Sequence, residues 1–252
     1  MTVPTDPTEP VADPRLHPAV DPTARLAERS VLVTGGSSGL GEAVVTALRR
    51  RGARVVVLDV AAPAVDVLWV KVDLSQAEAA HEAVHRAAEL AGPIGAVVTA
   101  AGIDACGRLD DVPLADWTRV VAVNLVGTAA VVRAALPWLR GVHGRVVTVA
   151  STLGLKAVGD ATAYCASKFG VVGFTRALAA ETAGEVGVTL LVPGGMRTRF
   201  FDGRAEQYRP GPEAVLNDPG DVAEAVVFAL TQPPGCEVRE LVVTPSVEPS
   251  WP

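Results

Sequence analysis

Short apolar runs alternate with longer amphipathic stretches along the chain from Ser30 onward. The runs contain few charges, a pattern typical of parallel strands that are buried on both faces. They predict seven strands, at Val31–Thr34, Arg54–Leu58, Leu68–Val72, Ala96–Ala100, Arg145–Ala150, Gly187–Leu191 and Glu240–Thr244. Between them, apolar residues at helical spacing predict helices near 40–51, 76–91, 116–139, 163–183 and 220–231.

This alternation predicts right-handed βαβ crossovers and therefore an α/β fold. We expect a single doubly wound (Rossmann) domain over residues 26–252, with a seven-stranded parallel sheet flanked by helices on both faces. A length of 252 residues supports one such domain with a full core and is too short for two substantial ones.

Two segments depart from this alternation of predicted strands and helices. Residues 1–25 carry a proline at every third or fourth position, which blocks helices and strand ladders alike and predicts a disordered tail. The stretch Arg197–Asn217 contains aromatic residues and prolines without a clean period. It follows the carboxyl end of a predicted strand, where open α/β sheets bind ligands. Residues 197–217 are therefore either a lid over a substrate or an ordinary loop.

Composition narrows the classes of function. The 22 basic and 28 acidic residues give a net charge of −6, which argues against a nucleic acid or an anionic membrane as partner. The cysteines Cys106, Cys165 and Cys236 lack metal-ligand spacing, so we expect no metal site and a reduced, cytoplasmic setting. We also expect no stretch as long as a membrane span and no secretory signal.

A glycine-rich segment, TGGSSGLG, runs directly from the first strand into the first helix. Glycines there allow a tight turn and a close approach of the backbone to a pyrophosphate, and the helix N-terminus favours the phosphate charge. Many strand-to-helix turns use glycine for steric reasons alone, but the strand before and the helix after favour dinucleotide binding. The candidate residues are Gly35, Ser37, Ser38, Gly39, Leu40 and Gly41.

An acidic residue, Asp59, ends the second strand. A carboxylate at this place can accept hydrogen bonds from the adenosine ribose hydroxyls, and it would repel a 2′-phosphate. Ser38 is not basic, so it offers no cation to such a phosphate. Both observations favour NAD over NADP, although Asp59 can also be an ordinary turn residue at a strand end.

Tyr164 and Lys168 lie four residues apart at the start of a predicted helix, so they share one face. Free tyrosine has a pKa near 10 and is a poor base at neutral pH. A nearby ammonium group, together with the positive nicotinamide ring of an oxidised cofactor, favours the phenolate. On spacing alone, the pair is more often just a partly exposed helix face.

Two further polar residues lie close to the predicted ligand edge. Ser151 follows the fifth strand, where its hydroxyl can hold a substrate oxygen or simply cap the next turn. Asn124 lies inside the apolar helix Trp117–Leu139, where a buried amide needs partners. It is either a structural bridge or part of a polar relay.

Five motifs together resemble the short-chain dehydrogenase/reductase family. Thr34–Gly41 is similar to its TGxxxGxG turn, Tyr164–Lys168 to its YxxxK signature, and Ser151 stands at its usual distance from the tyrosine. Val123–Leu125 resembles its asparagine segment, and Pro193–Thr198 its PGxxxT loop. Order and spacing agree over residues from about 30 to 245, so the resemblance implies the doubly wound fold.

The resemblance also implies the roles of four catalytic residues. Tyr164 would be the general acid/base for the substrate oxygen, and Ser151 would orient and polarise the carbonyl. Lys168 would lower the pKa of the tyrosine and bind the nicotinamide ribose. Asn124 would hold a water molecule that links Lys168 to solvent as a proton relay.

Further cofactor contacts follow from the same resemblance. Asp73, followed by Leu74, matches the acidic residue that contacts the adenine amine. Thr198 and the backbone of Met196 would hold the nicotinamide carboxamide. The remaining implied contacts are Ala100, Gly102, Pro193 and Gly194.

Two places depart from the family pattern. The usual NNAG after the fourth strand is Thr99–Gly102 (TAAG), so the bracing by asparagine side chains is absent and local stability is in doubt. The chain closes with prolines around Trp251 instead of a glycine-rich end. This tryptophan is either buried against a neighbouring subunit or part of a free tail.

The sequence therefore predicts an NAD-dependent oxidoreductase that interconverts a secondary alcohol and a carbonyl, and the family habit implies a homodimer or homotetramer. Alternatives are a non-catalytic NAD-binding sensor module, a related isomerase or epimerase, and the same dehydrogenase with NADP. Polar residues beside aromatic ones favour a sugar or polyol as substrate. Besides Ser151 and Tyr164, the candidate pocket residues are Asp104, Cys106, Leu153, Lys156, Gly195, Phe200 and Phe201.

Overall fold

Seven parallel strands form one sheet in the computed structural model, which describes residues 29–251. The strands are β1 (Ser30–Thr34), β2 (Arg54–Asp59), β3 (Leu68–Lys71), β4 (Ile94–Thr99), β5 (Arg145–Val149), β6 (Gly187–Pro193) and β7 (Glu240–Val243). The helices are α1 (Gly39–Arg50), α2 (Ala77–Ala91), α3 (Leu114–Val121), α4 (Thr128–Arg140), α5 (Thr162–Glu181) and α6 (Pro219–Thr231). Each predicted strand and helix is present, with ends displaced by no more than a few residues.

The strand order is β3-β2-β1-β4-β5-β6-β7, so the chain winds outward in both directions from β1 and β4. Thr34 at the end of β1 is in register with Leu58 of β2 and with Thr99 of β4. The loops that leave β1 and β4 therefore diverge and open a crevice at the carboxyl edge, which is where doubly wound sheets bind ligands. The predicted fold class is confirmed.

The core lies on both faces of the sheet because strand side chains alternate. Val33 of β1 belongs to the cluster that α1 and α6 cover. Its neighbour Leu32 belongs to the cluster that α2 and α4 cover. Both strand faces are buried, which explains why these strands are continuous apolar runs without polar alternation.

Helices α3 and α4 are joined without a break by a π-helical segment, Ala122–Gly127. The periodicity predicts one helix near 116–139, and the wider turn within it was not foreseen. Gly127 is required at this turn, since an added Cβ would lie 2.6 Å from the carbonyl oxygen of Leu74. Segments of this kind are frequent at functional sites, and Asn124 lies inside this one.

The continuous helix corrects one expectation from the sequence. The span Leu114–Arg140 is long and apolar enough, by length and composition, to cross a membrane. Half of its apolar window is buried inside the fold, where α4 packs against α2 and β4. Its apolar composition is therefore explained by the core of the domain. The predicted tail, residues 1–25, lies outside the described residues.

Replacing Gly127 by alanine should lower the free energy of unfolding by about 1–3 kcal/mol, because the new methyl group meets the backbone of Leu74. Gly173 in α5 is the matched control, since an added Cβ there meets nothing within 4 Å. Gly173→Ala should be neutral or stabilise by up to about 1 kcal/mol. Urea unfolding of both variants measures the difference. Equal midpoints would contradict the close approach.

Candidate active site

The glycine-rich turn between β1 and α1 leaves no room for side chains. Gly35 has a φ of +68°, and an added Cβ would lie 2.7 Å from the backbone nitrogen of Ala101. A Cβ at Gly41 would collide with the carbonyl oxygen of Gly35. The turn and the loop after β4 are thus in direct backbone contact. We call the backbone-lined site around Gly35–Gly41 the cradle, and it is of the kind that phosphates require.

Asp59 lies beside this turn at the end of β2. Its Oδ2 accepts the backbone N–H of Ser37 at 3.0 Å, and its Oδ1 accepts the N–H of Ala61 at 3.1 Å. The Ser37 hydroxyl donates to the carbonyl of Ala61 at 2.6 Å. Asp59 is therefore a turn residue and is also held at the mouth of the cradle, so the two interpretations are compatible.

Asp73 has partners within the chain. Its Oδ1 accepts the backbone N–H of Ser75 at 2.9 Å, and its Oδ2 lies 3.1 Å from Arg119 Nη2. The hydrogen bond from Ser75 is the main reason that the pKa of this carboxyl is lowered, and the Arg119 guanidinium adds to the effect. Leu74, the next residue, is buried under the π-helical segment.

The loop after β6 closes the other side of the cradle. An added Cβ at Gly39 would lie 3.3 Å from the Thr198 Cβ, so this loop touches the glycine-rich turn. Thr198 N–H donates to the carbonyl of Met196 at 2.9 Å. Gly194 N–H donates to Val243 at 3.0 Å, which ties the loop to β7. The predicted PGxxxT loop and the TGxxxGxG turn therefore face each other.

Ser151 and Tyr164 meet at the carboxyl edge of the sheet. Ser151 follows β5 and its Oγ accepts the N–H of Leu153 at 3.1 Å, which caps a short 3₁₀ turn. The Ser151 side chain also acts on the half-buried phenol of Tyr164 in the first turn of α5, because hydrogen bonding to Ser151 lowers the pKa of that phenol. The cap considered for Ser151 is present, and its hydroxyl is also near the tyrosine.

Lys168 lies one helical turn after Tyr164 and is only 4% exposed. Its Nζ donates to the carbonyl of Val149 at 2.9 Å and lies 5.6 Å from the centroid of the Tyr164 ring. Burial disfavours the ammonium form and lowers the pKa of this group to about 8. Lys168 and Tyr164 therefore share one face of α5, on which the lysine is buried and the tyrosine is half-buried.

The direction of the Tyr164 pKa corrects an expectation from the sequence. Burial raises the pKa of this phenol to about 12, and the hydrogen bond from Ser151 offsets only part of that effect. Asp104 raises the pKa further and Arg204 lowers it. Lys168 is not among the groups that shift this pKa, so burial is the dominant influence. In the protein alone, the phenol keeps its proton at neutral pH.

The Asn124 side chain fixes the loop after β4 by hydrogen bonds. Its Oδ1 accepts the N–H of Ile103 at 2.8 Å, and its Nδ2 donates to the carbonyl of Ile103 at 2.9 Å and to Ser167 Oγ at 3.0 Å. An added Cβ at Gly102 would lie 3.6 Å from both Asn124 Oδ1 and Lys168 Nζ. The structural bridge is present, and it holds this loop against the lysine.

The same loop is braced despite the missing asparagines. Thr34 Oγ1, at the end of β1, accepts the N–H of Ala101 at 3.1 Å. This hydrogen bond from β1 supports the loop in place of the asparagine side chains of the family pattern. Thr99 Oγ1 is buried without a hydrogen-bond partner. The loop after β4 is therefore stabilised by Thr34 and Asn124. These contacts hold Ala100 and Gly102 beside the cradle.

The predicted pocket residues after β4 form a polar cluster with the lid. Asp104 Oδ2 accepts the Cys106 thiol at 3.2 Å and pairs with Arg204 Nη2 at 2.8 Å. Burial raises the pKa of Cys106 to about 11, and Asp104 adds to the effect, so this thiol stays protonated and unreactive. Among residues 29–251, no group of three or more His, Cys, Asp or Glu side chains can hold a metal ion.

Residues 197–217 lie over the site. The Phe200 ring centroid is 5.7 Å from that of Tyr164, and Phe201 packs against Phe200 at the same distance. Tyr208 donates to Asp160 Oδ2 at 3.2 Å, which ties the far end of the segment to the turn before α5. Sequence reasoning missed Arg204 and Asp160, because neither belongs to a motif or to a periodic element.

The end of the chain folds back onto its own subunit. Glu248 Oε2 accepts the N–H of Gly195 at 2.9 Å, and Lys156 Nζ donates to the carbonyl of Pro249 at 3.1 Å. Ser250 Oγ lies 2.6 Å from Thr152 Oγ1. The segment before Trp251 is therefore not a free tail. Val247 and Trp251 remain 65% and 42% exposed, so an apolar surface is left at this end of the fold.

Comparison with known proteins identifies the class. The short-chain dehydrogenase family model matches residues 29–209, so the chain belongs to the short-chain dehydrogenase family. It is 34% identical to an uncharacterised oxidoreductase of Staphylococcus aureus strain MW2 over 87% of this chain and 98% of that protein. It is also 33% identical to the glycine betaine reductase of Emericella nidulans over 95% of this chain, but it spans only 20% of that protein's length.

Two solved structures share the fold. The ligand-free aldohexose dehydrogenase of Thermoplasma acidophilum has a TM-score of 0.78 at 23% identity, covering 87% of this chain and 94% of that chain. The alcohol dehydrogenase of Thermococcus sibiricus, complexed with 5-hydroxy-NADP, has a TM-score of 0.76 at 24% identity, covering 85% and 95%. Its membership of the short-chain dehydrogenase family makes the chain an oxidoreductase, of a family that binds a nicotinamide cofactor and acts on a small molecule.

The lowered pKa of Lys168 predicts a pH dependence of stability. The folded protein releases this proton near pH 8, whereas the unfolded chain keeps it up to its ordinary value of 10.5. Because the unfolded state then binds more protons, the free energy of unfolding should rise between pH 8 and 10, by about 1–3 kcal/mol. The raised pKa of Tyr164 opposes this only above pH 10.

Denaturant unfolding at pH 7, 8, 9 and 10 measures this effect as the difference between the parent and Lys168→Met. The exposed Lys71 is the matched control, and Lys71→Met should follow the parent at every pH. A parent and a Lys168→Met variant with parallel pH profiles would contradict the buried position of the amine.

Proposed function

We propose that this chain transfers a hydride between NAD and a secondary alcohol or the corresponding carbonyl, with Tyr164 as the general acid/base. The observation that carries the proposal is the grouping of Tyr164, Ser151 and a buried Lys168 at the carboxyl edge of the sheet, with the Lys168 Nζ 5.6 Å from the centroid of the Tyr164 ring. These groups lie at the end of a crevice whose other end is the glycine cradle. Binding of a dinucleotide and proton transfer are thus supported at opposite ends of one cleft.

The proton chemistry follows from the geometry. Ser151 holds the substrate oxygen next to the phenol, and Tyr164 gives its proton to that oxygen as a carbonyl is reduced, or accepts it as an alcohol is oxidised. The nicotinamide, when bound, supplies or accepts the hydride. Lys168 places a cationic donor near the phenol, and Asn124 holds the neighbouring loop in position. Positioning of this kind supplies much of the rate of such enzymes.

The cradle suits a dinucleotide, because the glycines bring the backbone of the turn, the loop after β4 and the N-terminus of α1 close together without intervening side chains. Asp59 favours NAD, since its carboxylate stands at the mouth of the cradle beside Ser37 and Ser38 and would repel a 2′-phosphate. On the nicotinamide side, Thr198 and Met196 would hold the carboxamide. Of the two structural relatives, the Thermococcus sibiricus enzyme was solved with an NADP analogue, so the choice of cofactor needs a direct test.

A sugar or polyol is the substrate that the pocket supports best, because the ion pair of Asp104 and Arg204 brings polar groups next to Phe200, which contacts the Tyr164 ring. The aldohexose dehydrogenase among the structural relatives is in line with this proposal. We also propose a homodimer or homotetramer, in which exposed apolar residues such as Phe228 and Trp251 would be covered. The three free cysteines favour a cytoplasmic location.

Removing the charge of Asp59 should change the choice of cofactor. Asp59→Asn keeps an acceptor for the turn but loses the repulsion of a 2′-phosphate, so the ratio of kcat/KM for NAD to that for NADP should fall about tenfold or more. Steady-state kinetics with both cofactors measure the ratio. Asp66→Asn, in the exposed loop before β3, is the control and should keep it. An unchanged ratio in Asp59→Asn, or a parent that prefers NADP, would contradict the assignment.

Removing the Tyr164 hydroxyl tests the reaction itself. Tyr164→Phe should lower kcat by about 10²–10⁴-fold, because the proton has no other donor or acceptor at that place. Binding of NADH, measured by fluorescence, should stay within about threefold, because the dinucleotide is held mainly by the backbone cradle. Tyr208→Phe, the chain's other tyrosine, should affect turnover far less. NADH formation is followed over sugars, polyols, hydroxysteroids and hydroxyacyl compounds.

The outcome also separates the enzyme from the second candidate, a protein that senses NAD without catalysis. A parent protein that binds NADH and turns over no member of this panel would favour the sensor. A Tyr164→Phe variant that oxidised its substrate at the parental rate would exclude the proposed role of the phenol.

A further inference from the structure

A buried ion pair joins the lid to the loop after β4. Arg204 Nη2 lies 2.8 Å from Asp104 Oδ2, and the two side chains are 16% and 8% exposed, respectively. Among the ion pairs of residues 29–251, this is the one in which both partners are largely buried. Ion pairs at a surface mostly contribute little to stability and need no particular function. The buried position of this pair distinguishes it from them.

The pair lies beside the reacting atoms. The Arg204 guanidinium is 4.7 Å from the ring centroids of both Phe200 and Phe201, and Phe200 in turn contacts the Tyr164 ring. Both charges act on the phenol, since Asp104 raises and Arg204 lowers the pKa of Tyr164. The ion pair therefore borders the substrate position and not the outer edge of the lid.

One N–H group of the guanidinium is unused. Arg204 Nε is buried without a hydrogen-bond partner, whereas Nη2 binds Asp104 and Nη1 lies 3.4 Å from the carbonyl oxygen of Tyr208. A buried donor without an acceptor is destabilising, and a buried ion pair often stabilises less than apolar packing of similar size. A lid that only had to stay closed would be held better by hydrophobic contacts, so recognition of a ligand explains the pair better.

The charges favour a neutral ligand that carries several oxygens. Asp104 already neutralises Arg204, and a substrate carboxylate would place a second anion beside Asp104. The carboxylates of Asp160 and Glu248, which bind Tyr208 and Gly195, add negative charge around the same cleft. A hydroxyl group fits both partners, because its oxygen can accept an Arg204 N–H while its proton is donated to a carboxylate oxygen.

We propose that Arg204 and Asp104 determine substrate specificity by recognising a hydroxyl group next to the reacting carbon, so that the protein selects polyhydroxylated substrates over simple alcohols. The lid delivers the Arg204 donor, and the loop after β4 supplies the Asp104 acceptor. This inference rests on the proposed dehydrogenase function and names the residues that would select its substrate class. A site built to bind a hydroxyl discriminates strongly against the analogue that lacks it, because its own polar groups are then left unpaired.

The test compares the oxidation of glycerol with that of isopropanol, because both present a secondary alcohol and only glycerol has neighbouring hydroxyls. The parent should have the higher kcat/KM for glycerol. Arg204→Met and Asp104→Asn should each lower the ratio of kcat/KM for glycerol to that for isopropanol about tenfold or more. The loss should be clearly larger with glycerol than with isopropanol, because any effect of the lost charge on Tyr164 is common to both alcohols.

Arg199 provides the matched control in the same lid. It pairs with Asp202 at 3.3 Å, and the two side chains are 86% and 68% exposed. Arg199→Gln removes a lid charge of the same sign and should keep the parental ratio. Arg204→Lys keeps the positive charge but lacks the planar fork of N–H groups, so it should lose the preference for glycerol as Arg204→Met does. Thermal unfolding establishes that each variant is folded.

The alternatives give distinct results. Equal losses with glycerol and isopropanol would mean that the pair only holds the lid closed, and would overturn the proposal. A parent that oxidises isopropanol but not glycerol would overturn it as well, while the proposed reaction would stand. A parent that oxidises neither compound, nor any member of the wider panel, would defeat the proposed function together with this inference. If Arg204→Met does not fold, Asp104→Asn and Arg204→Lys decide between these outcomes.

Discussion

All seven strands of the sheet point in the same direction, and the position of every group in the candidate site depends on this constraint. Parallel pairing brings the carboxyl ends of β1, β4, β5 and β6 to one edge. The reversal of winding between β1 and β4 opens the crevice at that edge. Residues that are far apart in sequence but closely follow these strands, such as Gly35 and Ser151, therefore lie at the same edge of the sheet.

Burial then decides the proton chemistry within that cleft. Desolvation acts in opposite directions on Tyr164 and Lys168, because it disfavours the charged form of each group. The result is a phenol that holds its proton and an amine that gives one up more readily than a free lysine. An argument from charge proximity predicts a lowered pKa for the tyrosine, whereas in the protein alone burial is the largest influence and raises it. Such a site suits proton donation to a carbonyl oxygen.

The last quarter of the chain closes the cleft from two sides. The lid brings Phe200 and Arg204 onto the tyrosine, and the terminal segment brings Glu248 against Gly195. Both closures use residues of the same chain. They bring one buried arginine, Arg204, among several carboxylates beside Tyr164, and these charges are the proposed basis for the choice of substrate.

Much of this molecule follows from the sequence alone. The strands and helices were predictable because periodicity and glycine turns are local properties, read within a few residues. Tyr164, Lys168 and Ser151 were predictable for the same reason, since helical spacing and a strand end define their places. The resemblance to a known family then supplied the roles that local patterns do not carry.

Other features depend on contacts between distant segments, and only the tertiary structure decided them. The π-helical segment around Asn124 forms where α3 and α4 meet Leu74, and the pair between Asp104 and Arg204 joins residues that are 100 positions apart. The fold-back of the terminal segment and the raised pKa of Tyr164 also arise from packing. The sequence alone therefore determined which residues can perform the chemistry, whereas burial and long-range contacts determined their charge states and partners.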